Sequence, residues 1–110
     1  MAKQNEFVNY LVENMQTLGN VNARTMFGGH GIFLNGLMFG LVAEDVLFLK
    51  TDPQNNAFFE DRNLPHFVYE KKGKAMQMSY RQAPESALDD PDELHDWASR
   101  SYAAAVRARK

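Results

Sequence analysis

The amino-acid sequence predicts an α+β fold, a single-layer antiparallel sheet of about five strands with helices, in the order α-β-β-β-α-β-β-α. Three observations carry this expectation. Apolar residues recur at helical spacing near both ends of the chain, while the middle holds strand-like runs separated by short turn signals. Within Arg24-Thr25-Met26-Phe27-Gly28-Gly29-His30-Gly31-Ile32-Phe33, three glycines in four positions sit between apolar runs. Glycine in that setting points to a strand that bends or bulges where side chains would obstruct a close backbone approach.

Phe7, Val8, Leu11, Val12, Met15 and Leu18 place a first helix over residues 3 to 18, with Gly19 as a left-handed cap. Val21 to Phe27 leads into the glycine patch. Ile32-Phe33-Leu34, the type I′ turn signal Asn35-Gly36 and the returning run Leu37 to Val42 form a hairpin. After a short turn at Glu44-Asp45, the nearly continuous apolar run Val46 to Lys50 reads as a central strand covered on both faces. Asp52 and Pro53 suit the N-cap and first position of a short helix that carries Ala57, Phe58 and Phe59 to about Arg62, and Asn63-Leu64-Pro65 ends it. Phe67 to Lys71 and Ala75 to Tyr80 form a second hairpin turned at Lys72-Gly73-Lys74. Asp90-Pro91-Asp92-Glu93 combines an N-cap, a first-turn proline and a capping-box acid, so the last helix spans about 91 to 108 with Leu94, Trp97, Ala98, Tyr102 and Ala105 on one face. The acids from Glu85 to Asp96 read as the entry to that helix, and Arg107, Arg109 and Lys110 suit its other end through the macrodipole.

The 110 residues fit one domain over 1–110, which at this size buries roughly 65% of the surface of the unfolded chain. Hydrophobic residues at 45% and charged residues at 24% suit a packed core rather than disorder. No apolar run reaches the length of a membrane span and no signal-peptide pattern opens the chain, so a cytoplasmic location is expected. The absence of cysteine excludes disulfides, a thiol nucleophile and thiolate metal sites. A net charge of −2 denies the protein the global positive field of a self-sufficient nucleic-acid binder.

Recognisable chemistry is sparse. His30, His66 and His95 lack metal-ligand spacing, Ser79 has no nucleophile elbow, and neither Asp52 nor Asp61 marks a carboxylate pair. No metal, cofactor or catalytic residue is expected. Gly28-Gly29-His30-Gly31 lacks the Walker lysine and precedes a strand, whereas phosphate loops open onto a helix. Lys71, Lys72, Lys74 and Arg81 cluster around the second hairpin, either to contact phosphates or an acidic protein surface, or to protect an edge strand. Met26, Met38, Met76 and Met78 either build an adaptable binding face or fill core gaps.

The patch from Arg24 to Gly31, Gly36-Leu37-Met38-Phe39-Gly40, Leu47-Phe48-Leu49-Lys50, Lys72 to Tyr80, Ala83-Pro84-Glu85 and Asp90 to Trp97-Ala98 resemble, in order, the N-terminal domain of TfoX/Sxy competence regulators. The resemblance covers nearly the whole chain and implies a helix, three strands, helix, two strands, helix arrangement, similar in architecture to secretion chaperones. It implies a non-enzymatic role in regulating DNA transformation, with a cyclic-AMP receptor protein as a partner at competence promoters. The motif positions it marks are Arg24, Phe27, Gly28, Gly29, Gly31, Lys50, Lys72, Gly73, Ser79 and Tyr80. The full regulators continue into a second helical domain, while this sequence stops at Lys110.

The leading expectation is therefore a regulatory or adaptor domain that binds a protein through Lys71, Lys72 and Lys74. Weak direct nucleic-acid binding by the same hairpin is the first alternative. A small-anion site beside Arg24, Lys50 and Tyr80 is the second. Two sheet edges also leave homodimerisation open.

Overall fold

A computed structural model describes residues 6–26 and 29–109, with Lys71 described through its backbone alone. Its elements are α1 (Glu6–Asn14), β1 (Asn22–Met26), β2 (Gly29–Leu34), β3 (Leu37–Ala43), β4 (Val46–Lys50), α2 (Asn56–Glu60), β5 (His66–Lys71), β6 (Lys74–Gln82), α3 (Glu85–Leu88) and α4 (Pro91–Arg109). The strands form one antiparallel sheet in the order β1-β2-β3-β4-β6-β5. The α+β class holds, while the strand count and element order differ slightly from expectation, with four strands before α2 and two helices after β6. The sheet has six strands rather than five, because the run entering the glycine patch and the run leaving it are separate: Met26 pairs opposite Gly29.

The bulge expected in the glycine patch is not found there: β1 and β2 pair without a register shift, and the irregularity lies between β2 and β3. Ile32 pairs with Gly40 and Phe33 with Met38, so Phe39 is the extra residue on β3. This shift lets Phe39 reach the fully buried core, where it meets Tyr102 edge to face, and it turns Met38 and Leu41 to the same side of the sheet. Asn35 and Gly36 take φ values of 54° and 79°, as the type I′ signal requires.

The helices pack on one face of the sheet. Ile32, Leu34, Val42, Leu47 and Leu49 point to that side and meet Val8, Leu11 and Met15 of the first helical segment and Leu94, Trp97 and Ala98 of α4. β4 is thus fully covered only on its helix side: Val46, Phe48 and Lys50 on the other are half-buried. α1 is shorter than its apolar pattern suggests. It ends at Asn14 and tightens into a 3₁₀ turn over Gln16–Leu18; residues 3–5 lie outside the described chain. Gly19 follows at φ 144° and ψ −159°, a region open essentially to glycine, and not in the expected left-handed cap.

The acidic entry to the last helix splits in two. Asp90 precedes a proline, which disfavours helical backbone there, and the chain forms α3 before restarting at Pro91. Asp90 caps α4 as expected, accepting from the Asp92 and Glu93 N–H groups at 3.0 and 3.3 Å. Glu93 does not close the box. Its carboxylate accepts from Ser86 Oγ at 2.7 Å and faces Arg62 at 3.7 Å. α2 starts at Asn56 rather than at the expected Pro53; Asp52 closes the preceding turn, accepting from the Gln54 and Asn55 N–H groups, and Asn55 Oδ1 accepts from the Asp52 N–H. The other Asp52 contact joins the two ends of the fold: Arg107, near the C-terminus of α4, donates two hydrogen bonds to its carboxylate at 2.5 and 3.0 Å.

Candidate functional site

The second hairpin extends beyond the body of the sheet. β4 pairs with β6 only from Tyr80 to Gln82, and the Thr51 N–H reaches Ser79 O at 2.8 Å. Towards the tip, β6 is paired with β5 alone. The turn is tighter than expected: Lys71 pairs with Lys74, leaving Lys72 and Gly73 as the two turn residues at φ 53° and 79°. Lys72 therefore occupies left-handed backbone that ordinarily favours Asn or Gly. Lys72 and Lys74 are exposed at the tip, and Gly73 has open space around it.

Two large apolar side chains are exposed along this arm, Val68 at 54% and Met76 at 51%. Val68 stands opposite Gln77 and Tyr69 opposite Met76, so the exposed residues lie on different faces of the hairpin. A two-stranded hairpin is marginal alone in water, and the arm is anchored at its base by the pairing of β6 with β4.

Arg81, grouped with the lysines in the sequence, is not part of the tip. It is 8% exposed; its Nε donates to Leu64 O at 2.8 Å and its Nη1 to Asn56 Oδ1 at 3.1 Å, with Glu60 at 3.7 Å. It clamps β6 to α2. Ser79 is exposed beside the point where the arm leaves the sheet.

The remaining motif residues lie on the sheet face away from the helices. The Arg24 guanidinium covers the Phe33 ring at 4.9 Å and the Lys50 ammonium covers the Tyr80 ring at 5.4 Å. Arg24 lies on β1 with its ring partner on β2, and Lys50 lies on β4 with its ring partner on β6, so each cation is held over its own aromatic ring. Tyr80 is 7% exposed and donates a long 3.4 Å bond to Met38 O; burial pushes its phenol up to about 12. Gly31 lies between Met26, Phe33 and Met38, and a Cβ there would come within 2.6 Å of Met26 Sδ. A Cβ on Gly29 would come within 2.1 Å of Val42 O. Both positions thus meet the close-approach requirement that the sequence suggested. Phe27 and Gly28 lie outside the described residues.

Met26 from β1 and Phe67 from β5 line one small apolar cavity with Met38 and Leu41, so the sheet curls until its two edges share this face. Phe67 also packs on Phe48 at 4.9 Å between ring centres. Met26 and Met38 therefore fill a secondary apolar layer, whereas Met76 is solvent-facing.

Sequence reasoning missed a cluster on the helical side. Arg100 stacks over Phe58 at 4.1 Å and Trp97 at 5.2 Å, and Arg62 covers Trp97 at 5.5 Å. Trp97 was legible as a core residue, but its stacking depends on α2 and α4 meeting, which no local pattern reports. Among the described residues no group of three or more His, Asp or Glu side chains is placed to hold a metal ion; His95 instead shares a 2.8 Å hydrogen bond with Thr17. No helix of the described chain is long and apolar enough to cross a membrane.

Comparison with known proteins matches residues 13–105 to the TfoX N-terminal domain. The chain is 33% identical over 66 residues to the DNA transformation protein TfoX1 of Aliivibrio fischeri, a match covering 60% of this chain and 32% of that protein. It is 23% identical over 97 residues to protein Sxy of Escherichia coli, covering 88% of this chain and 46% of that protein. The matched regions thus span less than half the length of these relatives. With the family match running from α1 to α4, the chain belongs to the TfoX N-terminal domain family.

Proposed function

We propose that the protein is a non-enzymatic regulatory or adaptor domain in the control of DNA transformation, acting by binding another protein through the β5–β6 arm. The observation that carries this reading is the arm itself: a hairpin reaching past the sheet, with exposed Val68 and Met76 and the exposed cations Lys72 and Lys74 at its tip. Apolar area supplies contact energy and the lysines favour an acidic partner surface. The name of the relative TfoX1 supports the transformation context. A cyclic-AMP receptor protein is the partner that the family resemblance suggests. The test is affinity capture from nuclease-treated lysate with the wild-type chain and a Lys72→Glu/Lys74→Glu variant. Loss of a specific protein with the variant is expected; capture that is unchanged while the fold stays intact rejects this surface.

Direct nucleic-acid binding is the second reading, favoured by the same two lysines. It requires strong salt dependence, since each neutralised phosphate contributes about −0.9 to the slope of log K against log salt. Anisotropy with labelled duplex that shows no binding at low salt eliminates it.

A further inference from the structure

The terminal strand β5 reads as a chemical palindrome. Centred on Val68, the order is His66, Phe67, Val68, Tyr69, Glu70: a basic group, an aromatic ring, an aliphatic side chain, an aromatic ring and an acid. We propose that β5 is a homodimer seam, in which a second copy of this chain adds its own β5 antiparallel about a two-fold axis through Val68.

Three features of the fold bear on this. β5 is the last strand of the sheet, with β6 on one side, and an edge strand carries a row of backbone donors and acceptors able to extend a sheet. The irregularity in the hairpin falls on the other strand. His66 pairs with Arg81 and Val68 with Gln77, so three β6 residues, Met78 to Tyr80, lie opposite Phe67 alone, and β5 stays the straighter strand. Val68, at the centre of the palindrome, is more than half exposed.

The symmetry selects a second copy rather than an unrelated strand, because a two-fold axis requires a surface complementary to itself. With the axis at Val68, His66 of each copy faces Glu70 of the other, Phe67 faces Tyr69, and Val68 faces Val68. Aromatic pairs are favourable cross-strand neighbours, and an imidazole N–H is able to donate to a carboxylate. Neighbouring registers lose this match. An axis at Tyr69 sets Val68 against Glu70 and Phe67 against Lys71; an axis between Val68 and Tyr69 sets Phe67 against Glu70 and His66 against Lys71. Both shifts towards the C-terminal end of β5, by one residue and by two, set side chains of unlike character against each other. The seam shares Val68 with the proposed partner surface and leaves Met76 and the Lys72-Gly73 turn outside the pairing.

The test is sedimentation equilibrium of the full chain across a wide concentration range, with circular dichroism and thermal unfolding as fold controls. The wild-type chain is expected to approach twice its 12.5 kDa mass. Val68→Lys, at an exposed position, is expected to keep the fold and return the mass to that of one chain. Glu70→Lys sets a cation against His66 of the second copy, and His66→Glu sets two acids against each other, so each single change weakens the dimer at least tenfold. The double variant sets an acid against a cation in both pairs and recovers the dimer. A chain that stays monomeric at every concentration overturns the proposal. So does a dimer indifferent to Val68→Lys, or a double variant no tighter than either single one.

Discussion

Replacing Gly29 by alanine tests whether the glycine patch exists for packing. A Cβ at this position falls 2.1 Å from Val42 O, 3.2 Å from Val42 C and 3.4 Å from Ala43 Cα, all of them backbone atoms of β3. Relief requires β3 to retreat by roughly 1 Å against a close-packed sheet, at the upper end of the 1–3 kcal/mol that overpacking costs. A loss of about 3 kcal/mol lowers the unfolding midpoint of a domain this size by roughly 12–24 °C. Gly31→Ala provides an internal comparison. Its new Cβ meets the Met26 and Met38 sulfurs at 2.6 and 3.2 Å and Phe33 Cε1 at 2.9 Å, and the methionine ends are able to swing aside, so about 1 kcal/mol is expected. Gly36→Ala meets no atom but pays for left-handed backbone at φ 79°, about 1 kcal/mol. Urea denaturation of the three variants ranks them. If Gly29→Ala costs less than Gly31→Ala, or falls within about 0.5 kcal/mol of wild type, the close-approach explanation is refuted.

Tyr80 governs behaviour at high pH. Its folded value of about 12 exceeds the ordinary 10.0, so the native state holds the phenolic proton more tightly; the contribution is complete below pH 10 and is lost between about 10 and 12. Relative to Tyr80→Phe, the wild type is expected to lose about 1.4 kcal/mol of stability on going from pH 7 to 11, measured by denaturant midpoints. Asp52 acts at the opposite end of the scale. Its hydrogen bond from Arg107 first, helped by the Asn55 and Gln54 N–H groups and opposed by burial, holds its carboxyl below the ordinary 3.8. Its contribution is therefore present above about pH 4 and lost as pH falls through the lower folded value, so the stability gap between wild type and Asp52→Asn should narrow in acid. Arg81→Ala leaves Leu64 O and Asn56 Oδ1 without their donor and should cost about 1–3 kcal/mol, while Lys72→Glu/Lys74→Glu should stay within about 0.5 kcal/mol of wild type under the same denaturation assay.

Local signals carried most of the architecture. Asn35-Gly36 specified its turn because both residues accept positive φ, and Asp90-Pro91 specified the start of α4 because a cap and a first-turn proline coincide. What escaped depends on partners distant in sequence. Met26 and Gly29 pair across two strands, but the intervening residues carry no familiar turn dipeptide, so two strands read as one bent strand. Glu93 turned from Asp90 to Ser86 because α3 brings a hydroxyl within reach. Arg81 looked like a surface cation beside three lysines, and only the packing of β6 against α2 buries it. Arg107 suits a helix C-terminus on dipole grounds, yet its specific role is the bond to Asp52, 55 residues away.

The protein-binding role of the arm is tested most directly by site-specific photo-crosslinking in the host cell. One chain carries the crosslinker at Met76 on the arm, and a second carries it at Val106, a comparably exposed apolar position on α4. The account predicts a discrete protein adduct from Met76 that survives nuclease and disappears when Lys72→Glu/Lys74→Glu is added. An adduct from Val106 alone, or a Met76 adduct that nuclease removes, contradicts it.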